Sequence, residues 1–142
     1  MPVKVIVALL LFFNSQVLLA EQMVPGRWYS YDLVKQGSVV FTNHCAGCHG
    51  KAAEGIAADW KRTLADGTYP PPPLNGSAHA WHHPMSILLG TINKGGAPLG
   101  GKMPPFKNIL GKREKYAAIA YFQNWWPNDI YNGWIERGGL SN

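Results

Sequence analysis

The five consecutive residues Cys45-Ala46-Gly47-Cys48-His49 carry the densest chemistry in the sequence. Two thiols at this spacing can each form a thioether to a vinyl group of a haem. A histidine directly after the second cysteine is then placed to bind the iron from one side. Both cysteines of the chain sit in this segment.

The same residue types have other uses. A CxxC pair can act as a redox dithiol, but that use expects a βαβ context and leaves His49 without a role. A structural zinc site takes four nitrogen or sulfur ligands, and no second cysteine pair exists to complete one. A disulfide across two intervening residues would close an uncommonly small ring. Covalent haem c is the reading that uses all three side chains.

Iron held by one histidine needs a second axial ligand unless it binds gas or substrate. A methionine thioether in that position favours ferrous iron and raises the reduction potential. Beyond the first twenty residues the candidates are Met23, Met85 and Met103. Met103 stands in Gly100-Gly101-Lys102-Met103-Pro104-Pro105-Phe106. Glycines before it let the backbone come close to the haem face, and prolines after it stiffen the loop. Met85 opens an expected helix as a core residue, and Met23 lies near a terminus. Met103 is therefore the expected sixth ligand.

The elements that must position these residues read as helices and long loops. Glycine and proline are abundant and strand-like alternation is scarce. Helices are expected over residues 33–45 with Asp32 as N-cap, over 52–65 carrying Trp60 and Leu64, and over 84–93 starting at Pro84 and closed by Gly95-Gly96. Two more are expected over 112–126, with Glu114 in the first turn, and over 128–137, with Ile130, Tyr131 and Trp134 on one face. Pro70 to Pro73 must be loop, because proline lacks the backbone donor.

Residues 1–20 have the character of a secretory leader. Lys4 is their only charge, Val5 to Phe13 form the apolar core, and Ala20 precedes the expected cut. Asn14, Ser15 and Gln16 interrupt that run, and a membrane span needs roughly 20 mostly apolar residues. Export to the periplasm is the expectation, with no transmembrane span in the mature chain. About 120 residues then remain, one domain's worth, over 21–142.

These motifs together resemble the class I monohaem c-type cytochromes, over residues 37–126. Gly37-x3-Phe41-x3-Cys45 is similar to the family's first helix running into the haem motif, and Tyr121 to the aromatic of the last helix that meets the glycine. Pro72-Pro73-Leu74-Asn75-Gly76 resembles a family turn. By that resemblance the Pro72 carbonyl accepts a hydrogen bond from the ring of His49, which fixes the ring and tunes the iron. Leu89-x2-Ile92-x2-Gly95 resembles the helix before the methionine loop. The resemblance implies an all-α small cytochrome c fold around one covalent haem, bound by Cys45, Cys48, His49, Pro72 and Met103, with His49 and Met103 on the iron. Residues 50–69, a longer Ala-rich insertion, and the aromatic extension 127–142 depart from the family pattern.

A six-coordinate iron is suited to one-electron exchange and not to catalysis at the metal. The expected role is a soluble periplasmic carrier between respiratory or dehydrogenase partners. A fixed subunit of such a complex is the second reading, and a peroxidase or gas sensor with open iron the third. The chain carries a formal charge of +5. Between Asp66 and Glu114 there is no acidic residue, while Lys94, Lys102, Lys107, Lys112 and Arg113 occur. A positive rim there would steer an acidic partner protein. Nucleic acid is a poor partner for an exported haem protein.

His79-x-Trp81-His82-His83 is a second cluster. It could hold a metal such as copper through His79 and either His82 or His83. The simpler expectation is that Trp81 packs beside the haem and a histidine bonds a propionate. His44 is expected as a helix-end residue, and the six tryptophans, including Trp125 and Trp126, mostly as core.

Overall fold

The computed structural model describes residues 21–141, so the expected leader over 1–20 lies outside the described residues. Five helices occur among the described residues: α1 (Tyr31–His44), α2 (Ala46–His49), α3 (Met85–Lys94), α4 (Lys112–Gln123) and α5 (Asn128–Glu136). Single 3-10 turns lie at Ala80–His82 and Ala97–Leu99. The one β pairing among the described residues is an isolated bridge between Met23 and Ser30. The all-α expectation holds.

Helix α1 begins two residues before the expected start. Ser30, not Asp32, is its N-cap: the Ser30 Oγ accepts a hydrogen bond from Leu33 N–H at 3.1 Å. Asp32 falls instead in the first turn, where its charge favours the helix dipole. Leu33, Gly37, Val40 and Phe41 form the buried stripe of α1, which crosses α4 as the principal helix pair. At Gly37 an added Cβ would collide with the Ala117 carbonyl and lie 2.9 Å from Tyr121 Cβ. Only a residue without a side chain lets the two backbones come this close.

Helix α4 is anchored at its start by Glu114, whose carboxylate accepts from Gly111 N–H at 2.7 Å. It ends at Gln123, three residues short of the expected end. The chain there tightens: Asn124 N–H bonds to both Ala120 and Tyr121 carbonyls, and Trp126 N–H to Gln123. That turn swings Trp126 inward, so that its indole N–H donates to the Leu74 carbonyl at 2.7 Å. Helices α3 and α5 lie within a residue or so of their expected bounds.

The helix expected over 52–65 does not form. Ala53 and Gly55 adopt φ of 58° and 78°, outside the right-handed helical region. The backbone there serves other segments: Ala53 carbonyl accepts from Leu74 and Asn75 N–H, and Gly55 N–H donates to the His49 carbonyl. Alanine's helix propensity is a weak prior that such tertiary bonds override. Asp59 and Asp66 then close small turns with Lys61 and Thr68 N–H.

The residues after α4 join the same core. Tyr131 and Trp134 of α5 are buried. Trp134 packs edge-on against Trp126 at 5.9 Å and its indole N–H donates to the His83 carbonyl at 2.8 Å. Met85 N–H bonds to the Gly139 carbonyl at 2.7 Å, tying the start of α3 to the C-terminal stretch.

Candidate functional site

Helix α1 ends at His44, and Cys45 breaks the helical path with φ −123° and ψ −38°. Its own N–H still bonds to the Phe41 carbonyl, and its carbonyl accepts from both Cys48 and His49 N–H. The sequence thus turns sharply and winds one further turn, α2, which carries Cys48 and His49 round beside Cys45. No disulfide joins the two cysteines.

These residues border a cavity of about 540 Å³. Cys45, Cys48, His49, Pro72 and Met103 all line it. Much of the remaining wall is apolar, including Leu74, Leu88, Ile92, Phe106 and Phe122. The size falls within the range of small-molecule and cofactor sites.

His49 is buried. Its Nδ1–H donates to the Pro72 carbonyl at 2.8 Å, the carbonyl being able only to accept. That bond sets the ring orientation and leaves Nε2 for a metal. Burial pushes the His49 pKa down, against a smaller upward pull from the Pro72 bond, so the ring is held neutral, the form that binds metals. Burial also pushes the Cys45 thiol up to about 11, with Cys48 adding to the shift. A redox dithiol depends on a lowered thiol pKa, so this environment argues against that use.

Met103 is placed by backbone contacts rather than by a helix. Its carbonyl accepts from Gly96 N–H at 2.9 Å, Gly101 N–H returns to the Gly96 carbonyl, and Phe106 N–H bonds to the Ile92 carbonyl. An added Cβ at Gly95, which has φ of 80°, would press within 2.5 Å of the Met103 carbonyl. Glycine there lets the loop fold back onto the end of α3. The other two methionines lie elsewhere: Met85 is in the core and Met23 is half exposed.

A haem fits this donor set. Two thiols, one oriented imidazole and one thioether border an otherwise largely apolar cavity of suitable size. No carboxylate lines it, while Lys61 and Lys102 do, which suits a planar apolar group with acidic substituents.

Several expectations need correction. Trp81 is not among the cavity residues. It stacks on His82 at 3.8 Å, lies under Arg137, the residue that follows α5, at 4.7 Å, and donates its indole N–H to the Ala78 carbonyl. Trp125 is 48% exposed rather than core. Among the described residues no group of three or more His, Cys, Asp or Glu is arranged to hold a metal. The basic run is less free than its sequence implies: Lys102 pairs with Asp66, and Arg113 with Glu21. The fold brings acids to it from outside the run.

Sequence reasoning missed Trp60, Lys61 and Tyr69 as cavity residues. An aromatic in a small, polar Ala-rich stretch was the signal for Trp60. His44 also lines the cavity and meets Phe106 edge-on at 6.0 Å.

A family model described as cytochrome c oxidase, cbb3-type, subunit III matches residues 32–122. The match spans more than half of the chain and contains Cys45, Cys48, His49, Pro72 and Met103. Comparison with curated proteins and with solved structures finds no match.

Proposed function

The chain belongs to this family of class I monohaem c-type cytochromes, and on that basis we propose that it is an exported, diffusing one-electron carrier. Haem c is its cofactor, and when bound it supplies a one-electron iron couple. Cys45 and Cys48 hold it by thioethers. His49 would bind the iron through Nε2, with Nδ1 engaged by Pro72, and Met103 would bind it through its thioether. The remaining cavity residues exclude water, which favours a raised potential.

The observation that carries this reading is the single cavity bordered by Cys45, Cys48, His49 and Met103. A ligand from a backbone-pinned loop and one from a short helix give a coordination that need change little between ferric and ferrous states. Small reorganisation makes transfer fast. Among the described residues no helix is long and apolar enough to cross a membrane.

The family description names an oxidase subunit, and that favours a second reading, a fixed subunit of a terminal oxidase. Exposed Leu99, Ile109 and Trp125 would then be buried against a partner.

Absorption spectra of the haem-loaded protein, oxidised, reduced and reduced under carbon monoxide, test the site. A low-spin spectrum, a far-red sulfur-to-iron band that disappears in Met103→Ala, and no response to carbon monoxide are expected. Ready carbon monoxide binding by the unaltered protein would overturn the ligation and with it the carrier role. Co-purification of the native protein with oxidase subunits, in place of a free small species, would favour the second reading.

A further inference from the structure

The sequence contains two Asn-Gly pairs, Asn75-Gly76 and Asn132-Gly133. In such a pair the main-chain nitrogen of the glycine can attack the asparagine Cγ, because no side chain crowds it. The fold treats the two pairs differently. Asn132 and Gly133 lie inside α5. Helical side chains tilt toward the helix N-terminus, which carries the Asn132 amide away from the Gly133 nitrogen.

Asn75 lies in the turn after the prolines. Its Oδ1 accepts from the Ser77 N–H at 3.1 Å and from the Ser77 hydroxyl at 2.6 Å. A main-chain N–H can only donate, so the amide oxygen, not its nitrogen, faces Ser77. The first bond closes a ring through Asn75 Cγ and the Gly76 nitrogen, so the side chain is folded forward over the amide that can attack it. Among the described residues the Gly76 N–H donates to no main-chain carbonyl. Glycine at 76 is fixed by the fold: its φ is 94°, and an added Cβ would lie 3.3 Å from both Pro127 and Trp126.

We propose that Asn75 converts itself to aspartate or isoaspartate through a cyclic imide, and that the carboxylate so formed lowers the reduction potential. The Gly76 nitrogen gives its proton to solvent and bonds to Asn75 Cγ. The carbonyl electron pair moves onto Oδ1, where both Ser77 donors already point; donors set in place beforehand favour a developing oxyanion. The oxyanion collapses, the Cγ–Nδ2 bond breaks, and the nitrogen leaves as ammonia with a proton from solvent. Water then opens the imide, at Cγ to give aspartate or at the main-chain carbonyl to give isoaspartate. Nothing is oxidised or reduced, and the chain gains one negative charge.

Leu74, the preceding residue, lines the cavity, whose wall contains no Asp or Glu. A carboxylate placed beside it favours ferric iron. In isoaspartate the main chain is also one carbon longer, within the turn whose Pro72 carbonyl orients His49. The conversion does not depend on haem; its effect on the potential rests on haem c occupying the cavity.

The test follows the holoprotein at mildly alkaline pH by peptide mass mapping and by potential measurement over time. Ser77→Ala and Asn75→Gln are run beside it, as is the same chain held unfolded in denaturant. In the folded protein Asn75 should convert while Asn132 stays intact; unfolded, the two should convert at similar rates. Ser77→Ala removes the hydroxyl donor and should slow Asn75 by about 3- to 10-fold in the folded protein only, the kinetic worth of one hydrogen bond. The potential should fall in step with conversion and hold steady in Asn75→Gln. Conversion of Asn132 as fast as Asn75 in the folded protein, an unchanged rate in Ser77→Ala, or a constant potential as Asn75 converts would overturn the proposal. Failure of the carrier reading shows separately, in the carbon monoxide response of the unaltered protein.

Discussion

Gly37 of α1 lies against the Ala117 carbonyl of α4, at a separation that leaves no room for a Cβ. This crossing positions the site, because the residue at which α1 breaks is Cys45, two turns further on. A shift at Gly37 is transmitted along a rigid helix to the thiols and to His49.

Gly37→Ala should therefore destabilise the haem-loaded protein by about 1–3 kcal/mol, the cost of forcing a methyl group into a packed core. Its new neighbour is backbone and cannot rotate aside. Chemical denaturation followed by Trp fluorescence measures this. A change of under about 0.5 kcal/mol would mean that the helices separate freely, and that the crossing does not constrain the site.

Trp134→Phe keeps most of the ring in the core and removes the indole N–H that serves the His83 carbonyl. The expected loss is about 1–3 kcal/mol, since a buried acceptor loses its partner. Trp134→Ala should cost about 3–5 kcal/mol through the cavity it leaves. Thermal melts of both variants give the comparison, and a loss of under about 0.5 kcal/mol in Trp134→Phe would mean that the hydrogen bond contributes nothing beyond packing.

Gln123 is fully buried, and its Oε1 accepts from the Trp28 indole N–H at 2.6 Å. Gln123→Leu should cost about 1–3 kcal/mol by orphaning that N–H. Trp28→Phe in the same chain should recover part of the loss, because both members of the pair are then apolar. A double-mutant cycle reads the coupling. Strict additivity would show that the two side chains do not depend on one another.

Asp66 holds Lys102, and it is Lys102, not Asp66, that lines the cavity. The Lys102 hydrogen bond, with those of Thr68, keeps the Asp66 carboxyl well below the usual carboxylate range. A depressed carboxylate keeps its pairing above its unfolded pKa and loses it as pH falls through the folded one. At neutral pH the lysine is thus neutralised. Asp66→Asn should free it, raising the second-order oxidation rate by an anionic complex such as hexacyanoferrate and steepening its fall with added salt. Stopped-flow measurement at two ionic strengths checks this. An unchanged rate would place Lys102 outside the path of approach.

Much of the site was legible in the sequence because covalent spacing alone dictates it. Cys45, Cys48 and His49 are near neighbours in any fold, so their chemistry could be read without one. Helices α3, α4 and α5 were legible from apolar periodicity and from proline and glycine punctuation, since those signals act within a few residues. The segment 52–65 was misread because its alanines report local propensity. Its backbone bonds instead to residues about twenty positions away, and no local signal carries that.

The sequence by itself determined the cofactor's attachment chemistry, the all-helical class and the methionine loop that could reach the iron. Only the tertiary structure decided which aromatic faces the cavity, Trp60 and not Trp81, and which lysine is neutralised, because stacking and ion pairing depend on distances between segments remote in the chain. It also decided that the residues after Pro127 join the core, with Trp134 capping a carbonyl 51 positions away. Burial is a property of the assembled surface, and a run of aromatics does not reveal which of its members will be inside.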